Sequence, residues 1–99
     1  MGKNYRKRAI ADVIAELERQ DEKWGYPQNN HPFEWTSILG EEFGEMCKDI
    51  NEACFNAGSN RGDFEKAITE AVQVAAVSVS IVDHLRRLQD EKRGNNDGK

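Results

Sequence analysis

The chain is 99 residues long, with 18 acidic and 14 basic residues and a formal net charge of −4. This length fits a single domain. A mildly acidic chain lacks the broad basic surface that nucleic-acid binders present, so we expect no stable nucleic-acid binding. The start of the chain is too polar for a secretory signal peptide, and we expect no apolar run that is long enough to cross a membrane.

The two cysteines indicate a reducing compartment. Cys47 and Cys54 are seven residues apart on one predicted helix, so their Cα atoms lie about 10 Å apart. This distance is too long for a disulfide bond. We therefore expect reduced thiols and a cytoplasmic location.

The first predicted helix covers residues 4–23 and has one buried face. Its apolar stripe has spacings of three and four residues, which places the stripe on one side of a helix. The stripe consists of Ile10, Val13, Ile14 and Leu17. The stretch 24–31 then breaks the pattern with residues that are typical of turns.

The second predicted helix covers residues 32–57. Pro32 suits the first helical position, because the N–H that proline lacks is not needed there. The apolar contacts of this helix are expected from Trp35, Ile38, Leu39, Phe43, Met46, Ile50 and Phe55. A short loop is predicted at 58–62, and Asp63 is the predicted N-cap of the next helix.

A third helix is predicted over residues 64–91, in a region without glycine or proline. Its centre is apolar nearly all round, which predicts burial on more than one side. We therefore expect an all-α antiparallel bundle that is completed in a homodimer or homotetramer. Asp83 and His84 are expected at a solvated helix end without a role. The domain is expected to cover 1–93, followed by a flexible tail at 94–99.

A row of carboxylates follows one face of the second helix. Glu42, Glu45, Asp49 and Glu52 are three, four and three residues apart, in line with Ile38. If this face points inward, the row is strongly unfavourable without a cation. A divalent cation such as Mg²⁺, which takes oxygen ligands, would relieve the repulsion.

The third helix offers a matching pair of oxygen donors. Glu70 and Gln73 are three residues apart inside the apolar segment. Facing Glu42 and Glu45 across two antiparallel helices, they would form a site for Mg²⁺, with Mn²⁺ as a substitute. Gly44 would let a ligand or another backbone approach closely. The alternative is that these glutamates are ordinary surface residues.

Four segments, taken in order, resemble one protein family. They are ERQDEKWG at 18–25, the stretch 31–35, ILGEEFGE at 38–45 and EAVQVAAV at 70–77. Over residues 5–88 the chain resembles the MazG-like all-alpha nucleoside triphosphate pyrophosphohydrolases, in particular those of bacteria and phages. The family pattern is ExxE, a spacer and ExxD. The resemblance implies cleavage of a (d)NTP to a (d)NMP and pyrophosphate, in the host cytoplasm if the protein is phage-encoded.

The same resemblance implies a ligand set for Mg²⁺. Glu42, Glu45, Glu70 and Gln73 would hold the metal on the triphosphate while a water attacks the α-phosphorus. Gln73 departs from the family pattern, which has aspartate there, and an amide oxygen is a neutral, weaker ligand. Either the metal is held more loosely, or one of two further acidic residues compensates. These are Asp49 and Glu52.

The expected catalytic residues are Glu41, Glu42 and Glu45. A carboxylate that is not fully engaged by the metal could orient or deprotonate the attacking water. Glu41 and Glu45 both remain candidates for that role.

The expected substrate-binding residues are Lys23, Trp24, His31, Trp35 and Asp49. The aromatic members would stack on a nucleobase, neighbouring Asn or Gln amides would contact its edge, and Lys23 would contact phosphates. Alternatively, the two tryptophans pack in the core, His31 caps the second helix, and Lys23 is a surface residue without a role.

Two functions of another class remain open from the sequence. The first is a helical module of the same fold that has lost efficient catalysis and binds a protein partner through its third helix. Gln73 favours that alternative. The second is a nucleotide or alarmone sensor that binds its ligand without turnover.

Overall fold

Three α-helices make up most of the part of the chain that the computed structural model describes, residues 4–55 and 62–97. They are α1 (Tyr5–Trp24), α2 (Pro32–Phe55) and α3 (Glu65–Asp97). The all-α prediction is confirmed, and the starts of all three helices agree with the sequence to within one residue. The predicted end of the second helix at 57 and most of the predicted loop lie outside the described residues.

Both ends of α1 are defined by local side-chain and backbone features. Asn4 is the N-cap, because its Oδ1 accepts the backbone N–H of Lys7 at 2.9 Å. Gly25 ends the helix with φ at +84°, a conformation that L side chains rarely adopt. Its N–H still donates to the carbonyl oxygen of Asp21 at 2.7 Å.

The start of α2 is a reciprocal cap centred on His31. The Nδ1 of His31 accepts the backbone N–H of Phe33 at 3.1 Å. In return, the backbone N–H of His31 donates to Oε1 of Glu34 at 2.6 Å. These two bonds form a capping box in which an imidazole replaces the usual hydroxyl. Pro32 occupies the first helical position as predicted.

The two ends of α3 differ in how well the sequence predicts them. Asp63 caps the start as predicted, because its Oδ1 accepts the backbone N–H of Glu65 at 3.0 Å. The helix continues through Asp97, although residues 94–97 were expected to belong to a flexible tail. A single glycine, Gly94, lies in this last stretch, and one glycine costs a helix only about 1 kcal/mol.

The central helix of the fold is α3, which packs against both α1 and α2. It runs antiparallel to α2. The Trp35 and His84 rings are 6.3 Å apart at one end, and the backbone N–H of Gly62 donates to the carbonyl oxygen of Ala53 at 2.7 Å at the other. The buried apolar residues are few: Trp35, Ala53, Ala67, Ala76 and Val77.

The chain exposes much more surface than a compact protein of its size. Its accessible area is 7612 Å², whereas a compact monomer of this mass exposes about 5,700 Å². The radius of gyration is 17.2 Å, compared with about 12.6 Å for a compact domain of this length. Large apolar side chains account for part of the excess, among them Ile10, Ile14, Phe43, Ile50, Ile68, Val79, Val82, Leu85 and Leu88.

One sequence-based expectation about α3 is wrong. By length and composition alone, α3 is long and apolar enough to cross a membrane, and 17% of its most apolar 18-residue window is buried within the chain. The expectation failed because the charged residues of α3 gather near its ends. The same stretch packs against α1 and α2, as the central helix of a bundle does.

Candidate metal and nucleotide site

A cleft of about 670 Å³ lies between the three helices and the segment that joins α1 to α2. Two tryptophans, several side-chain amides and a few charged groups surround it. Its lining residues are Glu16, Arg19, Gln20, Trp24, Pro27, Gln28, Asn29, Asn30, Trp35, Ile38, Glu42, Gln73 and Val77. A volume of this size suits a small-molecule ligand.

The acidic end of the cleft joins α2 to α3. With its amide oriented to satisfy both neighbours, Gln73 donates from Nε2 to Oε2 of Glu42 at 2.8 Å and to Oε2 of Glu70 at 3.1 Å. Burial raises the pKa of Glu42, and a hydrogen bond to Glu70 and the negative charges of Glu70, Glu45 and Glu41 raise it further. The structure therefore brings together three of the four predicted metal ligands.

The other predicted acidic residues of α2 are less closely involved. Glu41 and Glu45 are exposed, and neither lines the cleft. Both still contribute to the negative potential at Glu42, because their charges help to raise its pKa. Glu45 follows Glu42 by one helical turn, so its side chain lies next to the site without forming part of the Glu42–Gln73–Glu70 cluster.

The cluster fits a magnesium ion in its chemistry. Within residues 4–55 and 62–97, no three His, Cys, Asp or Glu side chains form a group that could hold a metal ion by themselves. Protein sites for Mg²⁺ often use only one or two carboxylates, with water and substrate phosphates as the other ligands. Glu42 and Glu70 supply two such carboxylates. Gln73 faces them with its nitrogen, so its amide must turn over before its oxygen can act as a ligand.

The two tryptophans of the cleft have different environments. Trp35 is only 4% exposed, and its Nε1 is buried without a hydrogen-bond partner among the described residues. It packs in the core while one edge lines the cleft. Trp24 is 56% exposed, and Lys23 places its Nζ 4.7 Å from the Trp24 ring centroid. Lys23 therefore lies over the Trp24 ring, on which a nucleobase was expected to stack.

His31 and Asp49 lie outside the cleft. His31 is exposed, caps α2 through its Nδ1 and stacks on Phe33 with ring centroids 5.2 Å apart. This arrangement agrees with the capping alternative. Asp49 instead lines a separate cavity of about 30 Å³ beside Glu52 and Lys66.

A charged network on α1 was missed by the sequence-based reasoning. Arg19 donates from Nε and Nη2 to the two carboxylate oxygens of Glu16, at 2.9 and 2.6 Å. The buried amide of Gln20 donates to the same carboxylate at 2.8 Å. These bonds lower the pKa of Glu16, with the Arg19 hydrogen bond as the largest cause. The spacings of three and four residues were the available signal.

The prediction of a solvated helix end is wrong for His84, and Asp83 is not free in solution but hydrogen-bonded. His84 is buried against Trp35. Asp83 accepts hydrogen bonds from the Tyr26 hydroxyl and from Nε of Arg87, each at 2.8 Å. Asp83 and His84 both lie in the middle of α3. The Arg87–Asp83 pair has a local spacing of four residues, but the sequence gave no local signal for the contact with Tyr26, which is 57 residues from Asp83.

The chain matches no protein-family model, no curated protein and no solved structure.

Proposed function

We propose that the protein is a Mg²⁺-dependent nucleoside triphosphate pyrophosphohydrolase. The observation that supports this proposal is that the Gln73 amide bridges two carboxylates, those of Glu42 and Glu70, beside one end of the cleft. Two carboxylates that face each other raise the free energy of the metal-free protein. Such an arrangement is expected where a cation binds, and the adjoining cleft has the size and the amide-rich, aromatic lining that a nucleotide requires.

In the proposed site, Glu42 and Glu70 would hold the metal. Gln73 would keep the two carboxylates in position by donating a hydrogen bond to each. Bound Mg²⁺ supplies charge neutralisation for the triphosphate and favours attack by water. Glu41 and Glu45, which lie on the exposed side of α2 next to the cluster, are the candidates that accept the proton of the attacking water. Hydrolysis at the α-phosphorus then releases a monophosphate and pyrophosphate.

The opposite end of the cleft receives the nucleobase in this proposal. Trp24 and Trp35 both contribute aromatic surface to the lining. The amides of Gln28, Asn29 and Asn30 offer both donors and acceptors to the edge of a base. The bidentate Arg19–Glu16 pair keeps the guanidinium on α1 and 6.0 Å from the Trp24 ring, where it can contact the ligand.

A second copy of this chain covers the exposed apolar surface in our proposal. The surface in excess of a compact monomer is about 1,900 Å² per chain, or about 3,800 Å² over two copies, which is within the range that permanent interfaces bury when both partners are counted. Cβ atoms at Gly40 and Gly44 would meet nothing within 4 Å in the described part of the chain, so this face of α2 is open to another helix. Light scattering should give a dimer or tetramer mass, and a monomer at micromolar concentration would contradict this part of the proposal.

A binding protein without turnover is the second candidate. It is favoured by Gln73, which faces both carboxylates with a neutral donor and thereby stabilises the cluster without a metal. In that case the nucleotide would occupy the cleft and leave it unchanged.

Incubation of the protein with Mg²⁺ and each common ribo- and deoxyribonucleoside triphosphate, followed by anion-exchange separation, distinguishes these candidates. Monophosphate and pyrophosphate as products would support the proposal, and diphosphate and phosphate would mean that another bond is cut. Binding without products would favour the second candidate. Glu42→Gln should lose the activity, whereas Glu18→Gln, an exposed acid on α1 outside the cleft, should retain it.

A further inference from the structure

The segment that joins α1 to α2 forms one wall of the cleft. Its residues Pro27, Gln28, Asn29 and Asn30 all line the cavity, and none of them belongs to a helix. Such a segment keeps a defined position only if it is anchored to the helices around it. The cap at His31 fixes the end where α2 begins, and the C-cap at Gly25 fixes the end where α1 stops.

Tyr26 supplies an anchor to the central helix. Its hydroxyl donates to Oδ2 of Asp83 at 2.8 Å, across 57 residues of sequence. Arg87 donates from Nε to Oδ1 of the same carboxylate at 2.8 Å, and its guanidinium carbon lies 5.8 Å from the Tyr26 ring centroid. One carboxylate therefore binds both a residue of the segment and a residue of its own helix.

The anchor lies directly behind the cleft. A second cavity, of about 110 Å³, is lined by Tyr26, Asp83, Arg87, Gln28 and Trp35, among others. Gln28 and Trp35 also line the main cleft. If Tyr26 moves, we expect Gln28, two residues later, to move with it. The wall of the cleft that Gln28 lines then changes shape.

We propose that Tyr26, Asp83 and Arg87 are positioning residues that fix segment 25–31 and thereby set the affinity of the cleft for its ligand. The part of this inference that concerns the ligand rests on the proposed function. Arg87 and Tyr26 hold the pKa of Asp83 below its ordinary value, so Asp83 is a carboxylate acceptor at neutral pH. None of the three residues touches the metal cluster, so they act on binding and not on the hydrolytic step.

Tyr26→Phe tests the anchor directly, because it removes one hydroxyl and keeps the ring. Backbone ¹⁵N order parameters of residues 28, 29 and 30, measured without ligand, should fall from about 0.85 to below about 0.6. Tyr5→Phe is the matched control, since Arg8 lies 5.7 Å from the Tyr5 ring in the same kind of contact, far along the chain from the segment. Equal order parameters in Tyr26→Phe and the unchanged protein would overturn the inference.

A kinetic comparison tests the consequence for the ligand. With Mg²⁺ and the nucleoside triphosphate that the protein cleaves, Tyr26→Phe should raise KM about tenfold, the effect of losing one hydrogen bond to a charged group, and change kcat less than about twofold. Asp83→Ala should do the same, and the double variant should show no further increase. An unchanged KM in a protein whose segment has become mobile would overturn the role in binding.

The two proposals fail in distinguishable ways. If the unchanged protein neither binds nor cleaves any nucleoside triphosphate, the proposed function is wrong. In that case the order parameters still decide whether Tyr26 anchors the segment. If the protein cleaves a nucleotide and Tyr26→Phe behaves like Tyr5→Phe in both measurements, the proposed function stands and the positioning role is wrong.

Discussion

With its amide oriented to donate, Gln73 on α3 places Nε2 2.8 Å from Oε2 of Glu42 on α2. The same nitrogen lies 3.1 Å from Oε2 of Glu70. A neutral donor between two carboxylates reduces their repulsion, so Gln73 stabilises the cluster when no cation is present. An ionised aspartate at position 73 has no N–H to donate, so it could not take this structural role of Gln73.

Gln73→Asp should make the stability of the protein depend on magnesium. A third carboxylate removes the bridging donor and adds a negative charge, so the melting temperature in EDTA should fall. Excess Mg²⁺ should then raise it by more than it raises that of the unchanged protein, because binding to the folded state stabilises it. Thermal unfolding followed by circular dichroism measures both effects.

The control for this prediction is Gln89→Asp, which makes the same change at an exposed position of α3. It should respond to Mg²⁺ like the unchanged protein. If Gln73→Asp and Gln89→Asp gain equally from Mg²⁺, the cluster at Gln73 does not bind the metal.

Glu42→Gln should affect stability and activity in opposite directions. Burial and the neighbouring carboxylates disfavour the charged form of Glu42, so a neutral amide of the same size should stabilise the metal-free protein by about 0.5 kcal/mol. For a domain of this size, that corresponds to about 2–4 °C in melting temperature. Pyrophosphohydrolase activity should be lost, because one of the two facing carboxylates is gone.

Thermal unfolding in EDTA and the product assay, on the same preparation, check both halves of this prediction. A lower melting temperature for Glu42→Gln would show that the carboxylate is a net stabilising group, which contradicts the repulsion described above. Full activity would remove Glu42 from the proposed metal site.

Local signals in the sequence predict the helices well, because caps act within a few residues. Pro32 and Asp63 each define a helix start where they were expected to, and Asn4 and Gly25 cap α1 within two residues of its predicted ends. The meeting of Glu42 with Gln73 was also predictable. The helical period places each residue on a defined face, and an antiparallel pair joined by a short connection brings these faces together.

Long-range pairings were not predictable in this way. Nothing in the vicinity of Tyr26 or Asp83 indicates the other residue as its partner, because the bond depends on how the connecting segment folds back on α3. The burial of His84 depends likewise on where Trp35 packs. Helical periodicity placed Glu45 and Glu42 on one face, but it did not show that Glu42 is the one that Gln73 of α3 binds and that lines the cleft.

His31 offers a test that separates capping from base stacking. His31→Ala removes the acceptor for the Phe33 N–H and should lower the free energy of unfolding by about 1 kcal/mol, or about 4–8 °C in melting temperature. His31→Asn keeps a side-chain acceptor and should retain most of the stability. In His31→Asn, which keeps the cap that fixes the end of segment 25–31, KM for a nucleotide should equal that of the unchanged protein, because position 31 does not line the cleft. A large rise in KM in the stable His31→Asn protein would point to stacking instead.

The pair of Glu16 and Arg19 should make the free energy of unfolding fall as the pH is lowered. Its folded-state pKa is lowered, mainly by the hydrogen bond from Arg19, from an ordinary value of 4.5. The stabilisation is therefore present above pH 4.5 and is lost as the pH falls through the lowered pKa. Because half of the Arg19 side chain is exposed, the contribution should be below about 1 kcal/mol.

Urea unfolding between about pH 6 and about pH 3 measures this dependence. Glu16→Gln cannot ionise, so its free energy of unfolding should fall less steeply over this interval than that of the unchanged protein. Glu18→Gln, two residues away and exposed, should keep the original slope. If Glu16→Gln also keeps it, the Arg19–Glu16 pair does not stabilise the fold, and its place in the cleft must be explained by contact with a ligand.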